Sequence, residues 1–78
     1  MTKKTFDEAS IREMDLEEVS ASEWRHGRRA VFVFEDDGAH WRFTAEVHHD
    51  EGLQLYGGVE CTQVHQVDRI VKVWVPTP

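Results

Sequence analysis

Hydrophobic and polar positions alternate strictly from His40 to His48. Trp41, Phe43, Ala45 and Val47 fall on one side, and His40, Arg42, Thr44, Glu46 and His48 on the other. A period of two predicts a half-buried antiparallel strand. The stretch before it, Arg29–Glu35, is apolar on both sides, with Val31 and Val33 opposite Ala30, Phe32 and Phe34. That pattern predicts a central strand covered on both faces. Between them, Asp36-Asp37-Gly38 is a turn signal with Gly38 suited to positive φ, so the two strands form a hairpin.

The pattern continues less regularly. His49-Asp50-Glu51-Gly52 predicts a polar turn, Leu53–Tyr56 a short apolar stretch, and Gly57-Gly58 a bend. Val59–Val67 is strand-like, but Val59 and Cys61 lie in one phase and Val64 in the other, which a bulge near Gln63 would explain. Arg69–Val75 predicts a last strand, ended by Pro76. Toward the N-terminus, Phe6, Ala9, Ile11, Met14, Leu16, Val19, Ala21 and Trp24 scatter around a helical wheel, so one long helix is excluded. Thr5 to Glu8 and Asp15 to Glu18 have capping-box spacing, and Ser22–Gly27 reads as a helical turn stopped by Gly27. These signals predict short helical segments, with a strand through Ile11–Leu16 as the alternative. The expected fold is α+β: an antiparallel meander of about four strands, curled or partly closed, with short N-terminal helical segments.

Length and composition then bound the function. The 78 residues are expected to form one domain, residues 1–78. Such a size leaves little room for a deep cleft and favours binding by the outer surface. The formal charge is −6. An acidic balance argues against coating nucleic acid, which needs a basic surface. The charge is uneven: residues 1–24 carry −4, residues 25–29 carry +3 and residues 30–78 carry −5. A single cysteine, Cys61, excludes an internal disulfide and a four-thiolate zinc site. No apolar run has the length of a membrane span, and the first residues do not resemble a signal peptide, so a cytoplasmic setting is expected.

Few residues invite chemistry. His48-His49-Asp50-Glu51 with His65 and His40 offers metal-ligand types, but neighbouring strand residues point to opposite faces and no paired-ligand spacing is present. The stripe His40, Arg42, Thr44, Glu46 and His48 reads as a solvated sheet face rather than an acid–base site. Cys61 sits in an apolar phase and reads as a structural thiol. Arg25, Arg28 and Arg29 form a basic node expected to pair with the chain's own acids, Glu17, Glu18 and Glu23 among them. No catalytic residue, metal ligand or cofactor is predicted.

Two stretches, His26–Gly52 (HGRRAVFVFEDDGAHWRFTAEVHHDEG) and the ending VKVWVP, resemble small acidic accessory proteins of bacteriophages and mobile elements. These include inhibitors of bacterial defence systems such as anti-CRISPR proteins. The resemblance implies a stoichiometric, non-enzymatic binder and maps no individual functional residue. Grouped carboxylates can imitate phosphates and occupy a basic nucleic-acid groove on another protein. The expected partner is therefore a host protein or nucleoprotein complex with a basic surface, met by Glu35, Asp36, Asp37, Asp50 and Glu51 with Trp24 and Trp74 as aromatic anchors. The alternatives are a metal- or small-ligand module built on His40, His48, His49 and His65, and a self-assembling component using Ile70 and Trp74.

Overall fold

The computed structural model describes residues 2–67 and 73–77. In chain order they form β1 (Lys3–Asp7), α1 (Glu8–Glu13), β2 (Glu17–Trp24), β3 (Gly27–Asp36), β4 (Ala39–His48), β5 (Gly52–Gln54), β6 (Gly58–Val67) and β7 (Val73–Pro76). Seven strands join in one open, antiparallel sheet of order β1-β6-β4-β3-β2, with β5 added to β4 and β7 to β6.

The central hairpin follows its sequence pattern. β3 and β4 pair without interruption from Gly27↔His48 to Asp36↔Ala39. Asp37 (φ 52°) and Gly38 (φ 78°) both take left-handed backbone, the conformation that matches the twist of paired strands in a tight hairpin. Aspartate tolerates this region better than most residues with a Cβ, which is why Asp-Gly suffices. One face of the hairpin carries Ala30–Ala45, Phe32–Phe43 and Phe34–Trp41; the opposite face carries Val31–Thr44, Val33–Arg42 and Glu35–His40.

The core lies on the first of these faces. Phe6, Ile11, Ala30, Phe32, Phe34, Trp41, Phe43, Leu55 and Cys61 are buried together. Phe6 stands edge-on to Phe34 at 5.1 Å and to Trp41 at 5.6 Å, while Phe32 stacks on Phe43 at 5.4 Å. Such aromatic pairs add about 1 kcal/mol each beyond simple burial. Lys4 closes the rim, its ammonium 4.9 Å from the Phe6 ring and 3.8 Å from Asp36. Because β1 and β2 lie at opposite ends of the sheet, the segment 8–16 crosses this face, and Ile11, Met14 and Leu16 pack down onto it.

Several expectations are overturned. The described residues form a mostly β structure, one sheet of seven strands with one six-residue helix, not an α+β meander of about four strands with several helical segments. Thr5 lies inside β1, and α1 starts after Asp7, which makes no side-chain cap bond. The residues from Glu17 to Trp24 are strand, and Gly27 begins β3 instead of stopping a helix. Capping-box spacing is a local signal, and here cross-strand pairing with β3 outweighs it. The alternative strand over 11–16 is absent as well, since α1 runs to Glu13. The phase slip near Gln63 is no bulge: β6 keeps an unbroken register there, and Val64 turns to the opposite face, where it and Val33 are buried. Part of the expected last strand, residues 69–72, lies outside the described residues.

Gln63 also explains where the chain ends meet. Its N–H donates to the Thr2 carbonyl at 2.8 Å, and its carbonyl accepts from the Thr77 N–H at 2.8 Å. A strand residue points both groups to the same side, so β1 and β7 lie end to end along one edge of β6.

Candidate functional site: an acidic edge strand between two grooves

β2 is the outermost strand opposite β1 and β6, and all eight of its residues are exposed. Its register with β3 shifts between Glu18 and Ser20, leaving Val19 as a bulge. From Ser20 to Trp24 the pairing is regular and closes through the two-residue loop Arg25-His26. Residues flanking a two-residue loop share both ladder hydrogen bonds, so Trp24, Ser22 and Ser20 bond inward to β3. Ala21 and Glu23 then direct their N–H and C=O groups away from the sheet. Among the described residues nothing pairs with them.

A groove opens at each end of β2. The larger, about 900 Å³, is lined by residues including Ser22, Trp24, Arg29, Glu46, His48 and Asp50. Its floor follows from register: Ser22, Arg29 and Glu46 lie side by side across three strands, as do Trp24, Gly27 and His48. Gly27 has no side chain, so the Trp24 indole meets the His48 imidazole edge-on at 6.1 Å across it. Glu46 takes a contact from His48 Nε2 at 3.1 Å and another from Arg29 at 3.7 Å. The smaller groove, about 310 Å³, is bordered by Asp15, Glu17, Glu35, Val33, His40 and Trp74, with His40 and Trp74 in ring contact at 4.8 Å.

Charge along this flank is one-sided. The segment from Glu13 to Trp24 holds five carboxylates and no base. Glu18 is satisfied: Arg28 Nη2 donates to it at 2.7 Å and Arg28 Nε at 3.0 Å. These hydrogen bonds hold the Glu18 carboxyl below its ordinary value and raise the Arg28 guanidinium, with partial desolvation opposing both. The expected pairing of the basic node is therefore met by Arg28, whereas Arg29 turns to Glu46. Among the described residues, Asp15, Glu17, Glu23 and Glu35 make no ion pair.

The residues singled out from the sequence fall into two groups. Trp24, Asp50 and Glu51 border the large groove; Glu35 and Trp74 border the small one, with Asp36 and Asp37 in the adjoining turn. The length of β3 separates the groups by roughly 30 Å. Asp36 is already engaged by Lys4. Sequence reasoning took Glu17 and Glu23, the unpaired acids of β2, only as partners for the basic node, and did not single out Asp15 just before the strand. The signal was the base-free acidic run around Val-Ser-Ala-Ser, which has no helical stripe and suits an edge strand.

The histidines do not converge. His40 and His48 sit at opposite ends of β4, His49 lies in the following turn, and His65 meets Thr77 at 3.5 Å on β6. Among the described residues no three His, Cys, Asp or Glu side chains are grouped to hold a metal ion. Ile70, named for self-assembly, lies outside the described residues, and Trp74 is half-buried.

Cys61 is fully buried, and burial, aided by the neighbouring Glu60 charge, pushes its thiol from 9.0 up to about 11. A native-state titration with a thiol reagent at pH 8 is expected to leave Cys61 unmodified until the domain unfolds. The folded pKa is the higher one, so stability is full below pH 9.0 and declines as pH rises toward about 11. Rapid stoichiometric labelling of folded protein, or no alkaline loss relative to Cys61→Ala, would contradict this.

No helix among the described residues is long and apolar enough to cross a membrane. Comparison with family profiles, curated proteins and solved structures found no match to this chain.

Proposed function

We propose that this chain is a non-enzymatic binding module whose acidic β2 flank engages a basic surface of another protein, of the kind that otherwise holds nucleic acid. One observation carries the reading: Asp15, Glu17 and Glu35, all exposed, border one groove at the start of β2 and make no ion pair among the described residues. Carboxylates that serve only solubility gain nothing from sharing a flank, whereas a basic partner gains from meeting them together. The grooves place Trp74 beside those acids and Trp24 beside Glu23, where aromatic side chains supply contact area.

The test is capture from a bacterial lysate at low and high salt, followed by competition with duplex DNA and with single-stranded RNA. A partner with a basic nucleic-acid groove is expected, released by salt and displaced by one of the two nucleic acids. The triple variant Asp15→Lys, Glu17→Lys, Glu35→Lys is expected to bind it about tenfold or more weakly, since each reversed rim charge slows encounter and adds repulsion. Undiminished affinity of that variant, or capture indifferent to salt and nucleic acid, would overturn the reading.

A further inference from the structure

We infer that the open edge of β2 receives an extended, lysine- or arginine-bearing segment of the partner as an additional antiparallel or parallel strand. The inference rests on the binding reading above and names its mode of contact. Three features carry it. The first is backbone supply: Ala21 and Glu23 present outward N–H and C=O groups on a regular stretch that the inner ladder to β3 holds straight. An extended peptide that meets such an edge gains hydrogen bonds to both residues without rearranging the sheet.

The second feature is what the edge lacks. Exposed edges are commonly blunted by proline or by lysine. β2 carries neither; its residues are Glu17, Glu18, Val19, Ser20, Ala21, Ser22, Glu23 and Trp24. The bulge at Val19 interrupts only its first part. From Ser20 to Ser22 the side chains are small, so an approaching backbone meets no steric barrier.

The third feature is charge, and it selects the occupant. A second copy brings the same acids, Glu17, Glu18 and Glu23, to the seam with no base between them, and a parallel copy in register sets each glutamate against itself. Like charges directly opposite each other destabilise a strand pair. A segment with Lys or Arg at alternate positions instead sets opposite charge against Glu23. Glu23 projects on the same face as Ala21, opposite the face of Ser22 and Trp24, so a single alternating peptide sets its cations beside Glu23 and its intervening residues beside Ser22 and Trp24.

The experiment uses the whole chain and an end-blocked seven-residue peptide alternating lysine and valine. Amide exchange followed by NMR is expected to slow at least tenfold at Ala21 and Glu23, while Ser20, Ser22 and Trp24, already bonded to β3, change little. Ala21→Pro removes one outward donor at a position whose N–H makes no bond to β3, so the hairpin stays folded and peptide affinity falls about tenfold or more. In case that variant perturbs the hairpin, N-methylation of alternate peptide amides on unaltered protein must have the same effect in one of its two phases. A glutamate-for-lysine peptide is expected not to bind. Protection elsewhere than β2, equal binding of both N-methylated phases, or self-pairing of the chain through β2 would overturn the inference. If Ala21→Pro keeps full affinity for the captured partner while the triple charge reversal loses it, strand addition falls and the acidic-flank reading stands.

Discussion

Replacing Gly27 with alanine is expected to destabilise the domain by about 3 kcal/mol, near the upper end for an overpacked site. The cause is backbone meeting backbone. A Cβ at this position would run into the Val47 carbonyl oxygen and lie 2.9 Å from the His48 Cα. Neither atom belongs to a flexible side chain that could swing aside. Gly27 is paired on both edges, to Trp24 of β2 and His48 of β4, so a shift that relieves one contact disturbs the other ladder. The neighbouring turns are tied together as well, by the His49 N–H donating to the His26 carbonyl at 3.1 Å. In a domain of this size the loss corresponds to a fall in Tm of about 15 °C. Trp24 reports the local effect, because its contact with His48 exists only while Gly27 leaves the space open. A melting temperature within a degree or two of the parent would show that β3 slides freely at this point, contrary to its two-sided pairing.

The same residue shows what was legible in the sequence and what was not. A glycine after Arg25-His26 is compatible with a helix stop and with the first residue of a strand; only the closeness of Val47 decides, and that contact is 20 positions away along the chain. Where both signals were local, the reading held. The alternation His40–His48 and the Asp-Gly turn fix β3, β4 and their register, because strand phase and turn geometry act within a few residues. Val64 misled for the opposite reason. Its phase is wrong for the core face and right for the other, where Val33 is also buried, so a residue serving a second face imitates a bulge.

The N-terminal third was the least legible, and its physics explains why. β2 buries none of its residues, so no hydrophobic period marks it as a strand. It is held by the ladder to β3 and by the Arg28–Glu18 contact, both invisible to a pattern of apolar positions. The candidate site was visible only in part. Acid groups and Trp24 and Trp74 were apparent, but the placing of Glu17 and Glu23 on one open strand depends on β2 being a strand at all. An edge strand that buries none of its residues leaves little trace in the pattern of apolar positions.

Ile11 supplies the second large effect. It is fully buried and is the one buried residue of α1. A six-residue helix is too short to persist on its own, since isolated helices shorter than about 12 residues are marginal in water. It is held by burying Ile11 against β1 and β6, helped by Arg12 donating to the Leu53 carbonyl at 3.0 Å. Ile11→Ala is therefore expected to cost about 3 kcal/mol, and Ile11→Val about 1 kcal/mol, as buried methyl groups are removed and a cavity remains. Chemical denaturation of both variants measures this. The pattern of loss matters more than its size. The segment 8–16 should open first, so native-state amide exchange accelerates across α1 and β1, whereas Ser20, Ser22 and Trp24 keep the protection given by their hairpin with β3. Binding of the lysine–valine peptide at 25 °C should then stay within about twofold of the parent, because the receiving edge is organised by β3 rather than by the crossover. Equal acceleration in the β2–β3 hairpin would show that the crossover, not the hairpin, holds the edge strand in place.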